Sequence, residues 1–83
     1  MASKDKVREM QDLWTVLFPA SITVPDCQWG IWSLRYGEAT IRDGIARTAI
    51  KFQKLNGKMD AEYVGKYASS VMRQLQARNR NAA

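Results

Sequence analysis

The chain contains no histidine and a single cysteine, Cys27. Without histidine it lacks the one side chain whose ordinary titration lies near neutral pH, and it lacks the commonest nitrogen ligand for zinc. One cysteine excludes an internal disulfide, which fits a reducing compartment. Cys27 itself is expected to be a small, buried or half-buried side chain. No apolar run approaches the roughly 20 residues that a membrane span needs. The polar start, Met1 to Arg8, does not read as a signal peptide, so a cytoplasmic protein of bacterial or phage style is expected. The five glycines are isolated and form no phosphate-cradling loop. No internal repeat or low-complexity stretch is present.

The carboxylates are few: Asp5, Glu9, Asp12, Asp26, Glu38, Asp43, Asp60 and Glu62. Asp26, Glu38, Asp60 and Glu62 fall at expected helix starts, where a negative charge meets the positive end of the helix macrodipole. Asp43 stands four residues before Arg47, in the spacing of a surface ion pair. These structural roles absorb the acids, and an enzyme is not expected. No cofactor, metal or small-molecule substrate is implied either.

What the chain does have is helical periodicity. Eighty-three residues make one domain, and 46% hydrophobic residues with three Trp, three Tyr and two Phe suffice for a small core. The pattern predicts an all-α, compact bundle of about four short helices. The first spans about Lys4 to Phe18, with Val7, Met10, Trp14, Leu17 and Phe18 at helical spacing, Ser3 as a candidate N-cap and Pro19 as the stop. The second runs to about Tyr36. Thr23 and Asp26 stand in capping-box spacing, and Pro25 sits in the first turn. Trp29, Trp32 and Tyr36 form its apolar side, widened by Ile31 and Leu34, and Gly37 reads as a left-handed terminator. The third spans about Glu38 to Asn56 with the stripe Ile41, Ile45, Ala49, Phe52 and Leu55, ending at Asn56-Gly57. The fourth starts near Asp60 and carries Val64, Tyr67, Ala68, Val71, Met72 and Leu75. Met10, Met59 and Met72 are expected as core fillers or caps. Residues 1–3 and 77–83 are expected to fray. Helices three and four are expected to form the central antiparallel pair.

The formal net charge of +5 favours polyanions as partners, nucleic acid first among them. The cations are ordered. Arg47, Lys51, Lys54 and Lys58 recur at steps of four, three and four. At about 100° per residue they fall in a narrow sector, well away from the Ile41-Ile45-Phe52 stripe, if the helix persists to Lys58. Lys66, Arg73 and Arg80 recur every seven residues on the fourth helix, and Arg78 adds to its end. Such rows either meet phosphates by displacing counterions or simply keep a helix face in water. No Asn or Gln accompanies the first row to read bases, so weak sequence specificity is expected. The aromatic residues read mainly as core. A second function class keeps one of them outside: a small protein–protein adaptor or regulator working through an exposed patch around Trp14 or Trp29, with the cations only solubilising. A homodimer through helix one is a third possibility.

From Phe18 to Leu75 the chain resembles the small helical domain of DnaD-type replication proteins. The likeness is carried by Phe18 before the connector, Trp32 with Tyr36-Gly37 at a helix end, and Glu38, Ile41, Ile45 and Ala49 in the next helix. The family's Tyr-x3-Ile-x3-Trp pattern stands here as Tyr67, Val71 and Leu75, with two of its three residues changed. The resemblance implies a helical fold and DNA binding, including single-stranded DNA, in replication or phage DNA metabolism. Tyr67, Val71 and Leu75 match the motif, and Lys66, Arg73, Arg78 and Arg80 are the cations beside it.

Overall fold

A computed structural model describes the backbone of residues 4–82 and the side-chain surroundings of residues 6–78. The described chain is all-α. Four helices follow one another: α1 (Lys4–Leu17), α2 (Asp26–Arg35), α3 (Glu38–Lys54) and α4 (Ala61–Ala82). The candidate cap Ser3 lies outside the described residues. None of the helices, among the described residues, is long and apolar enough to cross a membrane.

The core is built from the expected apolar faces. Met10, Trp14 and Phe18 come from the first segment, Trp29, Trp32 and Tyr36 from the second, and Ile41, Ile45 and Ala49 from α3. Val64, Ala68, Met72 and Leu75 complete it from α4, and Met59 anchors the α3–α4 loop. The rings of Trp14, Phe18, Trp29, Trp32 and Phe52 form one cluster. Trp14 stacks on Phe18 at 4.1 Å, while Trp29 meets Trp14 and Trp32 edge-on at 6.0 and 5.0 Å. Phe18 also meets Phe52 edge-on at 5.4 Å. Offset and edge-to-face arrangements suit the ring quadrupoles. Two of the indoles find polar partners while buried: Trp14 Nε1 donates to the Ile22 carbonyl, and Trp32 Nε1 to Ser69 Oγ, both at 2.9 Å.

Helix α3 packs mainly against α4. The pair is joined by the short 55–60 loop, and Gly44 lies against Met72, so the two helices run antiparallel. The contact is close because Gly44 has no side chain. A Cβ added there would stand 2.5 Å from Met72 Cγ. Thr48, fully buried, turns its hydroxyl back onto the Gly44 carbonyl at 2.7 Å, so this tight face carries no orphan polar group.

The end of α3 is a Schellman-type stop. Gly57 N–H donates to the Phe52 carbonyl and Asn56 N–H to that of Gln53, with Asn56 and Gly57 at φ 55° and 75°. Asp60 then caps α4, its Oδ1 accepting from the Tyr63 N–H at 2.7 Å.

Several local expectations are corrected. Thr23 does not cap α2. Pro25 occupies the N-cap position in extended geometry, and its carbonyl accepts from Gln28 and Trp29 N–H. A proline holds its preceding residue extended, so the helix cannot open earlier. Gly37 is not left-handed: its φ is −75° and ψ 163°, and it serves as N-cap of α3 after Tyr36 has itself turned extended. Tyr36 is buried in that conformation, so packing rather than a glycine terminates α2. Ile31 and Leu34 do not widen the buried face; they are 44% and 73% exposed. Leu55 lies past the last turn of α3, and 37% of it is exposed. Cys27 is exposed on the outer side of α2. Helix α4 runs to Ala82, with no glycine or proline after Gly65.

Two glycine substitutions should move stability in opposite directions. Gly44→Ala should lower the unfolding free energy by about 1–2 kcal/mol, overpacking against Met72 outweighing the better helix propensity of alanine. Gly30→Ala, at an exposed helical site where an added Cβ meets nothing within 4 Å, should raise it by about 0.5–1 kcal/mol. Urea titration followed by circular dichroism measures both. A Gly44→Ala variant as stable as the parent would remove the close α3–α4 contact from this account.

Candidate nucleic-acid interface

The outward face of α3 carries Arg47, Lys51 and Lys54. At about 100° per residue the three occupy a sector of about 60°, centred about 120° from the middle of the buried set. Arg47 and Lys54 are exposed and Lys51 is half-buried. No carboxylate among the described residues lies within ion-pair distance of any of them. Asp43, one turn earlier, forms no pair with Arg47, which corrects that expectation. Ile50, 54% exposed, stands on the same outward face.

Lys58 does not continue this row. Helix α3 ends at Lys54 and its C-cap is Leu55, so Lys58 sits in the loop, with its N–H donating to the Leu55 carbonyl. The positive φ angles at Asn56 and Gly57 turn the chain before a fourth cation can fall into register.

Glu9 and Glu38 are engaged elsewhere. Arg42 pairs with Glu38 at 2.9 Å and with Glu9 at 3.1 Å, and Lys6 reaches Glu9 at 3.6 Å and Glu38 at 4.0 Å. This exposed network ties α1 to the start of α3. Each pair is worth little on its own, about 0–1 kcal/mol. Its effect on the charge map is larger, because Arg42 and Lys6 are neutralised while the α3 row is not.

The expected α4 cations divide. Lys66 is held by Glu62 at 3.2 Å, so it is not the unpaired cation the sequence suggested. Lys66 and Arg73 line a cavity of about 620 Å³ between α2 and α4, together with Arg35, and no α3 residue lines it. Arg78 is exposed and points about 130° away from that side of α4. The Arg80 side chain lies outside the described residues. The structure therefore separates the predicted site into the α3 row and the α2–α4 cavity. Arg35 was missed because its place in the last turn of α2 has a sufficient explanation in the helix dipole.

Trp14 and Trp29 are not the exposed residues that the adaptor reading expects. Trp14 and Trp29 are each only 4% exposed, since both are needed to fill the space between α1, α2 and α3. Tyr63, half exposed, stacks with Tyr67 at 6.4 Å on α4. Tyr67 and Val71 are half-buried and Leu75 is buried. No family model, curated protein or solved structure matches the chain.

The burial of all three tryptophans sets an optical expectation. Native emission should be blue-shifted and resist iodide quenching, with the quenching constant rising severalfold on unfolding. Efficient quenching of the folded protein would mean that a tryptophan surface exists after all.

Proposed function

We propose that this is a non-enzymatic nucleic-acid-binding domain that meets the phosphate backbone through Arg47, Lys51 and Lys54 on α3. One observation supports the reading above others: three cations lie at successive turns on the outward side of one helix with no carboxylate partner, whereas Arg42 on the same helix is paired with Glu9 and Glu38. Cations in that arrangement release condensed counterions from a polyanion on contact. The face offers no amide side chain aimed outward among them, so phosphate contact rather than base reading is the mode, with weak sequence preference. The likeness to DnaD-type domains points the same way, toward DNA handling in replication or in a phage. The stacked Tyr63 and Tyr67 add an aromatic surface on α4 suited to unpaired bases.

Fluorescence anisotropy with labelled single- and double-stranded oligonucleotides tests this. With three phosphate contacts, raising monovalent salt fourfold should weaken binding by about 20- to 40-fold. Lys51→Glu combined with Lys54→Glu should weaken it by about tenfold or more at low salt, with the helical content unchanged. Binding indifferent to salt, or to this charge reversal, rules the α3 row out.

A further inference from the structure

The cavity between α2 and α4 has chemistry of its own that the α3 row does not explain. Its lining brings together Arg35 from the end of α2 and Lys66 and Arg73 from α4, with Ser69 and Ser70 between them. Only one carboxylate, Glu62, lines it, and that group is already bound to Lys66. Arg35 and Arg73 have no carboxylate partner among the described residues.

The hydroxyls sort into engaged and available. Ser69 Oγ accepts from Trp32 Nε1 and donates to the Gly65 carbonyl at 3.1 Å, so it is spent on the fold. The Ser70 hydroxyl bonds to no described residue. Tyr36 is 8% exposed, and its hydroxyl likewise has no partner among the described residues; yet no unpaired buried polar atom exists among them, so that hydroxyl reaches solvent. The Arg35 carbonyl is held by Gln76 Nε2 at 2.7 Å, which fixes the backbone that carries the guanidinium. Val24, Pro25 and Ala61 supply apolar wall. Gly65 leaves the α4 side open, since an added Cβ there would meet nothing within 4 Å.

We propose that this cavity binds a small phosphate monoester of nucleotide size, with its phosphate between Arg35 and Arg73. Two unpaired guanidiniums and the hydroxyls of Thr23, Tyr36 and Ser70 exceed what one carboxylate can accept, and they match the three terminal oxygens and near-double charge of a phosphate monoester. A volume of about 620 Å³ falls within the range of small-ligand sites and far exceeds a bare phosphate ion. The apolar wall takes the organic part. The site is separate from the α3 row, and the proposal stands whether or not that row binds nucleic acid.

Amide chemical-shift titration of the intact protein tests it, with adenosine 5′-monophosphate, inorganic phosphate and adenosine as probes. The monophosphate should shift the amides of Tyr36, Gly65, Ser69, Ser70 and Arg73 saturably. Inorganic phosphate should shift the same set more weakly, and adenosine should leave it unmoved. Arg35→Gln and Arg73→Gln should each weaken monophosphate binding by about tenfold. The Lys51→Glu and Lys54→Glu pair should not change it, which keeps this result distinct from failure of the α3 reading. Three results would overturn the proposal: no saturable shift at millimolar monophosphate, shifts centred on Arg47 to Lys54, or equal binding of adenosine. Arginine variants that fold like the parent and still bind as tightly would overturn it as well.

Discussion

Helices α3 and α4 approach each other across a glycine, and much of the molecule is arranged around that contact. Gly44 leaves no room for a β-carbon against Met72, and Thr48 one turn later satisfies its hydroxyl on the Gly44 carbonyl rather than asking α4 for a partner. With the backbones this near, Ile41, Ile45 and Ala49 join Val64, Ala68 and Met72 in one buried cluster. Helices α1 and α2 then close the remaining side with an aromatic cluster. Two of its indoles are tied down, one to the 19–24 connector through Ile22 and one to α4 through Ser69. Two of the connections carry local devices: Pro25 before α2, and the Schellman turn after α3 with Asp60 before α4.

Charge follows from this packing. Once one side of α3 is committed to α4 and another to α1, its polar residues can only stand on the remaining surface. Arg42 falls toward α1 and meets Glu9 and Glu38, whereas Arg47, Lys51 and Lys54 fall on the open side and meet none. A net charge of +5 distributed evenly would say little about function. The alignment of Arg47, Lys51 and Lys54 on one side of α3 supports the proposed contact with a phosphate backbone. The α2–α4 cavity shows the same principle in a concave setting, where Arg35 and Arg73 both line the wall and the one lining carboxylate is paired with Lys66.

The apolar spacings alone disclosed four helices, their faces and their approximate limits. Periodicity reports burial directly: Met10, Trp14, Ile41, Ile45, Val64 and Met72 recur at helical intervals because one face must leave water. Local capping was less legible. The expected roles of Thr23 and Gly37 failed because a cap depends on backbone angles, and those were set by Pro25 and by the burial of Tyr36. The site was half legible. Three cations of the row share one helix and obey its period, so their alignment needed nothing beyond that helix. Lys58 left the row because the Asn56-Gly57 turn intervened. Arg35 of α2 and Arg73 of α4 line one cavity, and no spacing within either helix announces that they share it.

By itself, then, the order of residues determined the all-helical class, the inward faces, the stop at Asn56-Gly57 and the cation register on α3. These are consequences of interactions reaching only three or four positions along the chain. Tertiary structure decided that the tryptophans would be enclosed and that Ile31, Leu34 and Cys27 would remain outside. It also decided which cations would find acids and which would line a cavity. Those outcomes depend on how one helix lies against another, and that geometry is fixed by the fit of side chains distant in sequence, beginning with the missing β-carbon of Gly44.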